Sequence, residues 1–177
     1  ENNPVEFTLI TNAENLIRQN TAVRIQQDLE KIGMKVNVSA IAFNILVNKL
    51  DQSLDWEAHL LGFTGGIEPN GGSNVWQPDG GLHTFNQFKP DLQGWTVSEW
   101  EKEIGQLYVK GAQQLDDAKR KKIYGEAQKI AAEQLPFIQL VNQISMYAVR
   151  NKFKEIRFSD LEGPFWNLDQ IELKYAP

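Results

Sequence analysis

Apolar and polar residues alternate along three short stretches in the first third of the chain. The alternation over residues 5–11 predicts a strand, because successive side chains of a strand point to opposite faces of a sheet. The segments "MKVNVSAIAF" (34–43) and "WEAHLLGF" (56–63) predict a second and a third strand on the same grounds.

The segments between these strands have helical spacing. A helix is predicted over Leu16–Ile32, with one apolar face formed by Ala22, Ile25, Leu29 and Ile32. Gly33 follows at the position where helices commonly end in a left-handed residue. A short helix is predicted in "FNILVNKLDQS" (43–53).

Two successive helices are predicted over residues 97–135. The first can begin with a capping box formed by Thr96 and Glu99, or by Ser98 and Glu101. Asp116 or Asp117 can cap the second. The residues expected to face inward are Trp100, Ile104, Leu107, Gly111 and Leu115 on the first helix, and Ile123, Ala127 and Ile130 on the second.

The chain beyond Pro136 is again predicted to be extended. Strands are expected around residues 137–149, in "PFIQLVN" and "SMYAVRN". A last alternating run contains Ile171, Leu173 and Tyr175. Because strands and helices alternate from the start, the predicted fold is α/β, with a mostly parallel sheet flanked by helices in a single domain of 177 residues.

A glycine-rich segment, "HLLGFTGGIEPNGGSNVWQPDGG" (59–81), begins where the third strand ends. Ligands of open α/β sheets gather at the carboxyl ends of the strands, and glycine allows positive φ angles and close approach of the backbone. A phosphate-binding loop would require a lysine after its last glycine, but Ser73 and Asn74 follow Gly72. A plain surface loop is the competing interpretation.

Six aromatic or imidazole side chains lie in or beside the loops of this region. They are Phe63, Trp76, His83, Phe85, Phe88 and Trp95. Rings in loops either stack on a ligand or anchor the loop, and both roles are expected within this set. Glu68 is the first acid after the glycine turn, and a hydrolase would need a second carboxylate converging on it. His59, inside the third strand, is expected to be a hydrogen-bonded core residue.

The composition excludes several classes of function. The net charge of −5 argues against a nucleic-acid partner held by phosphate contacts, and the absence of cysteine excludes thiol catalysis and cysteine-bound zinc. The basic run Lys119–Lys122 is interpreted as a solvated helix face. No metal or other cofactor is predicted. The N-terminus lacks the pattern of a signal peptide and also suits a start inside a longer polypeptide.

Three segments together resemble a known family. They are "RIQQDLEKIGMKVNVSAI", "DWEAHLLGFTGGIEP" and "DDAKRKKIYGEAQKIAAEQLPFIQLVNQISMYAVRNKF". In order and spacing they resemble the C-terminal lobe of ABC-transporter solute-binding proteins, in the family that binds dipeptides, oligopeptides and nickel. The resemblance implies a lobe of the periplasmic-binding-protein type II fold over residues 1–157, and a segment, 158–177, that returns toward a missing first lobe.

The resemblance also implies a function. The chain is expected to be a ligand-binding lobe of a receptor for peptides or similar small polar solutes, and not an enzyme. Its expected partners are the ligand, the N-terminal lobe and a membrane permease, and its expected location is the periplasm or the extracytoplasmic face of a membrane. The alternatives are a sensory domain of a regulator and, less favoured, an acid–base hydrolase.

The ligand-binding residues expected on this side of the cleft are Phe63, Thr64, Gly65, Gly66, Glu68, Trp76, His83, Phe85 and Asn86. One departure from the family pattern concerns the amino end of a peptide. Peptide-binding members commonly carry an aspartate soon after a Gly-Trp pair, where this chain has Gly65 and Gly66. Either Glu68 substitutes for that aspartate, or the ligand is not a peptide with a free amino end.

Overall fold

Strand β1 (Glu6–Asn12) lies at the centre of a three-stranded sheet in the computed structural model, which describes residues 5–92, 94–159 and 163–174. Strand β2 (Lys35–Ile41) pairs with β1 in parallel from Glu6↔Lys35 to Asn12↔Ile41. On the other edge, β3 (Ala58–His59) also pairs with β1 in parallel. The predicted α/β architecture with a mostly parallel sheet is confirmed.

Two helices cover the two faces of this sheet. Helix α1 (Leu16–Glu30) begins at Asn15, whose side chain accepts a hydrogen bond from the backbone of Arg18. Helix α2 (Phe43–Asn48) continues into a wider π-helical turn, Lys49–Ser53. Gly33, just beyond α1, has a φ of +84°, as its position in the sequence predicts.

Successive residues of β1 point to opposite faces of the sheet and pack into different cores. Leu9 packs with Ala22 of α1 and Val36 of β2, while Ile10 packs with Leu46 and Leu50 on the α2 side. This is the arrangement expected of a parallel sheet that is covered on both faces. Ile25 and Leu29 join the α1 core as predicted, but Ile32 lies past the end of the helix and is 68% exposed.

Strand β3 is shorter than predicted. Only Ala58 and His59 pair with β1 as a strand, and one further hydrogen bond, from Leu60 N to Ile10 O, extends the pairing. Beyond Leu60 the chain leaves the sheet, and Leu61 packs against the core around Ile10. A short helical segment follows, formed by a 3-10 turn, Pro69–Gly72, and helix α3 (Ser73–Trp76).

A helical hairpin forms the second half of the molecule. Helix α4 (Glu99–Gln113) begins at Ser98 with a complete Ser98–Glu101 capping box, and helix α5 (Asp117–Gln134) begins at Asp116. Ile104 and Tyr108 of α4 pack against Tyr124 and Ala127 of α5. Tyr124 therefore occupies the central position that the spacing assigned to Ile123, and Leu115, between the helices, is 96% exposed.

The strands predicted around residues 137–149 are absent. Residues 138–150 have no regular secondary structure, and each of them is exposed. Within the described ranges, no strand lies beside this segment to accept its backbone hydrogen bonds. A small antiparallel pair follows, formed by β4 (Phe153–Lys154) and β5 (Glu172–Leu173); Tyr175 of the last predicted run lies outside the described residues. Within the described part of the chain, no helix combines the length and apolar character that crossing a membrane requires.

Candidate functional site

The glycine-rich turn leaves the sheet at the carboxyl end of β3. Phe63, Thr64, Gly65 and Gly66 are all exposed there. Neither glycine has a positive φ, so the predicted left-handed conformations are absent from this turn. A Cβ built on either glycine would meet no atom within 4 Å, which leaves the backbone of the turn open to solvent.

Glu68 ends this turn and connects it to the helical hairpin. Its carboxylate accepts a hydrogen bond from Asn70 N at 2.9 Å and forms an ion pair with Arg120 of α5. The hydrogen bond from Arg120 and then that from Asn70 lower the pKa of Glu68. Its charge is therefore already paired in this structure.

Arg120 is held in place by two further contacts. Its Nε donates to Gly111 O at 3.1 Å, and its guanidinium lies 5.4 Å from the centre of the Tyr124 ring. The Tyr124 hydroxyl also reaches the turn, at 3.4 Å from Asn70 Oδ1. The basic run of α5 is thus not entirely a solvated face, since one of its members anchors the glycine-rich segment.

Phe137 is the hub of an aromatic cluster, which we define as Phe63, Trp76, Phe85, Trp100 and Phe137. The ring of Phe137 lies 5.8 Å from Phe63, 5.8 Å from Trp76 and 5.1 Å from Phe85, in edge-to-face geometry. Phe85 also stacks on Trp100 at 5.8 Å. Three of the predicted site residues are therefore brought together by a residue that the sequence did not single out.

A cavity of about 330 Å³ adjoins this cluster. Trp76 and Phe137 line it on the cluster side, and the α4–α5 hairpin and Gln139 line the remainder. The other lining residues are Tyr108, Ala127, Gln128, Ala131, Ala132 and Gln139. Aromatic and alanine side chains with a few amide groups form the type of surface that accepts an apolar group and orients it by hydrogen bonds.

A buried polar network lies behind the aromatic cluster. His83 is 1% exposed and contacts Val75 O through Nδ1 at 2.9 Å and Glu101 Oε1 through Nε2 at 3.0 Å. Asn86 Nδ2 donates to the same Glu101 oxygen at 2.8 Å and to Thr96 O at 2.9 Å. His83 and Asn86 are thus both hydrogen-bonded within the fold: His83 is buried against Phe85, and Asn86 is half-buried.

The remaining candidates lie apart from this cluster. Phe88 and Trp95 form a separate edge-to-face pair at 5.2 Å. His59 lies edge-on to Trp56 at 4.8 Å, and its Nε2 is 3.5 Å from Thr84 Oγ1. Its Nδ1 has no hydrogen-bond partner, so the prediction of a hydrogen-bonded core histidine holds for one nitrogen, and burial lowers its pKa.

Glu68 and Glu101 do not have the raised pKa that the hydrolase alternative predicts. That alternative requires a carboxyl with a raised pKa at the turn. Glu68 and Glu101 both have lowered pKa values instead. Among the residues that the structure describes, no three histidine or carboxylate side chains gather as metal ligands.

Phe137, Arg120 and Glu101 are the residues of this region that sequence reasoning missed. Phe137 follows Pro136, beyond the end of α5 at Gln134, and the proline indicates only that the helical pattern stops there. Arg120 is hidden in a run of four basic residues. Glu101 was noted for its capping-box spacing, which gives no indication of its second role.

Comparison with known proteins finds one related sequence and several related folds. No protein-family model matches the chain. Over 158 residues it is 40% identical to a Deinococcus radiodurans protein described as a probable ABC transporter-binding protein, an alignment that covers 82% of this chain and 26% of that protein.

Among the solved structures that share the fold are two with bound ligands. The oligopeptide-binding protein AppA of Bacillus subtilis, in complex with a nonapeptide, matches with a TM-score of 0.65 and 19% identity over 96% of this chain and 32% of its own. The periplasmic binding protein MelB of Agrobacterium fabrum C58, in complex with stachyose, matches with a TM-score of 0.64 and 17% identity over 74% of this chain and 20% of its own.

The fold is therefore that of a part of a periplasmic binding protein, with a parallel sheet flanked by helices. The chain is accordingly related to one part of a probable ABC transporter-binding protein. It spans 26% of the length of the curated relative that it matches.

Proposed function

We propose that this chain is a ligand-binding lobe of an extracytoplasmic solute receptor that serves an ABC importer. The observation that carries this proposal is the aromatic cluster around Phe137, which lies beside an exposed glycine-rich turn at the carboxyl end of a parallel strand. Ligands of α/β proteins bind at that end of the sheet. The 40% identity to an ABC transporter-binding protein supports the same function.

The proposed ligand wall has three parts. Phe63 and Trp76 supply ring surface, with Phe85 and Phe137 packed against them. Thr64, Gly65 and Gly66 supply backbone groups at the open turn, and the two glycines have no side chain that would keep a ligand at a distance. Glu68, held by Arg120, fixes the end of the turn, while His83 and Asn86 hold the loop behind the rings.

Peptides or similar small polar solutes are the proposed ligand class. Solved proteins of this fold bind ligands as different as a nonapeptide and stachyose, so the fold does not select between them. Glu68 carries a charge suited to a peptide amino group, but that charge is paired with Arg120. A cationic ligand group would have to displace Arg120 or share Glu68 with it, whereas an uncharged ligand face would stack on the rings directly.

Residues 1–157 are proposed to form this lobe, and residues 158–177 to return toward an N-terminal lobe in the complete protein. Residues 138–150 support the proposed N-terminal lobe, because four of their apolar side chains are almost uncovered among the described residues. Ile138, Val141, Ile144 and Met146 are 80–90% exposed. Contiguous exposed apolar surface of this kind marks an interaction site.

The remaining proposed partners follow from the receptor function. A membrane permease would receive the ligand, and the protein would work in the periplasm or anchored on the extracytoplasmic face of a membrane. A catalytic role is not proposed, and neither is a nucleic-acid partner, in keeping with the net charge of −5. No observation in the fold favours the alternative of a sensory domain in a regulator.

Native mass spectrometry of the full-length protein, purified from its source, tests the proposal. We expect a bound small molecule or peptide whose mass is absent after denaturation. The Phe63→Ala variant should lose this molecule while retaining the melting temperature, because Phe63 is 46% exposed and contacts the cluster through Phe137. Trp76→Ala should also lose it, with a lower melting temperature, because Trp76 packs on the α4–α5 core as well.

Phe88→Ala is the matched control, since Phe88 is 44% exposed and pairs with Trp95 away from the cluster. If Phe63→Ala and Trp76→Ala retain the bound molecule as well as Phe88→Ala does, the cluster is a packing unit and the proposed wall is abandoned.

A further inference from the structure

His83 has a buried imidazole whose two nitrogens both face hydrogen-bond acceptors. Nδ1 lies 2.9 Å from the backbone carbonyl oxygen of Val75. Nε2 lies 3.0 Å from the Glu101 carboxylate. A neutral imidazole has one donor nitrogen and one acceptor nitrogen, so it can satisfy only one of these two contacts. An imidazolium ion, with two N–H groups, satisfies both.

This conclusion depends on Glu101 being ionised, and the surroundings of Glu101 support that state. Its Oε1 accepts from Asn86, and its Oε2 accepts from both the backbone N and the hydroxyl of Ser98 at 2.6 Å. Burial raises the pKa of Glu101, but the hydrogen bonds from Ser98, Asn86 and His83 outweigh burial and leave the pKa lowered. An ionised carboxylate accepts all of these hydrogen bonds at once, two on each oxygen.

Glu101 has as hydrogen-bond partners the neutral side chains of Asn86 and Ser98 and the imidazole of His83. Glu101 is 3% exposed and His83 is 1% exposed, so neither charge can be solvated by water. Burying an unpaired charge is far costlier than burying a paired one. The groups that face His83 are Glu101 from α4, the Val75 carbonyl from α3 and the Phe85 ring from its own loop.

We infer that His83 is an imidazolium ion in a buried ion pair with Glu101, and that this pair is a positioning element for the Phe85 ring. The centre of the Phe85 ring lies 4.0 Å from that of His83, within the distance at which a cation attracts an aromatic face. The pair also fixes the loop before Asn86 to the first turn of α4. Its importance for ligand binding rests on the proposed function, but its charge state does not.

Histidine-selective ¹⁵N NMR of the full-length protein tests this inference without a ligand. At about pH 7, within the range where histidine side chains change charge, we expect two protonated ring nitrogens on His83. His59 is the internal comparison, because burial lowers its pKa and its Nδ1 has no partner. His59 should show one protonated and one unprotonated ring nitrogen. The variants His83→Asn and His59→Asn assign the two sets of signals.

Glu101→Gln supplies the second measurement. This change removes the charge but keeps the side-chain shape, so His83 should lose its doubly protonated signature and its nuclear Overhauser contact to the Phe85 ring should weaken. Glu99→Gln is the matched control in the same turn of α4, since Glu99 pairs with Lys102 on the exposed surface. It should leave both His83 signals unchanged.

A bare ring nitrogen on His83 in the unmodified protein at this pH would overturn the ion pair, and this result needs no variant that could fail to fold. Retention of the doubly protonated signature in a folded Glu101→Gln protein would overturn the role of Glu101. Loss of ligand binding with the imidazolium signals intact would instead count against the proposed function, so the two proposals fail separately.

Discussion

Residues 6–12 and residues 138–150 are both rich in apolar side chains, but their surroundings differ completely. Strand β1 has a neighbour on each edge and a helix against each face, and its last four residues are buried. The segment 138–150 runs on past helix α5 with every residue exposed. The comparison teaches that an apolar extended segment becomes a strand only where another backbone accepts its hydrogen bonds.

The aromatic cluster is intermediate in burial between β1 and the segment 138–150. Phe137 is the last residue before the exposed segment, and it is half-buried by rings that come from three other parts of the chain. Trp76 and Trp100 in turn pack on the α4–α5 core. The α4–α5 hairpin therefore packs against one side of the cluster. Phe137 is the last residue along the chain that belongs to it.

The largest expected effect comes from the fully covered side of this comparison. Leu46→Ala removes a side chain that is 0% exposed and should destabilise the sheet half by about 2–5 kcal/mol. Hydrogen exchange of the β1 amides measures this loss. Ile45→Ala, at a neighbouring position that is 50% exposed, is the control and should change little. Equal effects at the two positions would show that α2 is assigned to the wrong face.

A steric test in the hairpin is expected to have the next largest effect. A Cβ on Gly111 would lie 2.6 Å from the Tyr124 ring, so Gly111→Ala should cost about 1–3 kcal/mol of stability through overpacking. Gly125→Ala is the matched control on α5, because a Cβ there meets nothing within 4 Å. That variant should instead stabilise the helix, by about 0.5–1 kcal/mol. Thermal melts of the two variants should therefore shift in opposite directions.

The first turn of α4 should respond more moderately. Ser98→Ala removes the capping hydrogen bond and one donor to Glu101, and we expect a loss of about 0.5–2 kcal/mol. Ser98→Thr keeps the hydroxyl and should restore most of this stability. A denaturant titration that finds Ser98→Ala equal to the unmodified protein would contradict the role of the capping box in holding Glu101.

The smallest effect is expected in the exposed segment. Ile144→Ser alters a side chain that is 84% exposed. In the isolated lobe, the free energy of unfolding should therefore change by less than about 0.5 kcal/mol. In the full-length protein the same substitution should cost more, because the proposed N-terminal lobe would cover this residue. Comparing the melting temperature of the variant with that of Gln143→Ser in the full-length protein measures the difference. If the two full-length variants have the same melting temperature, the N-terminal lobe does not cover Ile144.

The elements with local signals could be predicted from the sequence. The alternation in β1 and β2, the spacing in α1, the glycine after it and the two caps of the hairpin each depend on residues a few positions apart. Such signals are present in any short window of the chain. The order of strands and helices then restricts the sheet to parallel pairing, which the structure has.

The candidate site could be predicted only in part. Its position after β3 and its ring-bearing loops are local features, whereas the grouping of Phe63, Trp76 and Phe85 around Phe137 joins residues up to 74 positions apart (137 − 63 = 74). Likewise, the sequence shows no partner for the carboxylate of Glu68, but in the structure it is paired with Arg120, 52 residues away. His83 reads as a loop residue, but it is buried against Glu101.

The sequence by itself determined which segments are helical or extended and which turn follows the third strand, because backbone preference and hydrophobic periodicity act over a few residues. Tertiary structure alone decided which rings meet, which charges are paired and which extended segment lacks a partner. Each of these depends on the distance between residues remote in the chain, and in turn on how the helical hairpin packs beside the sheet.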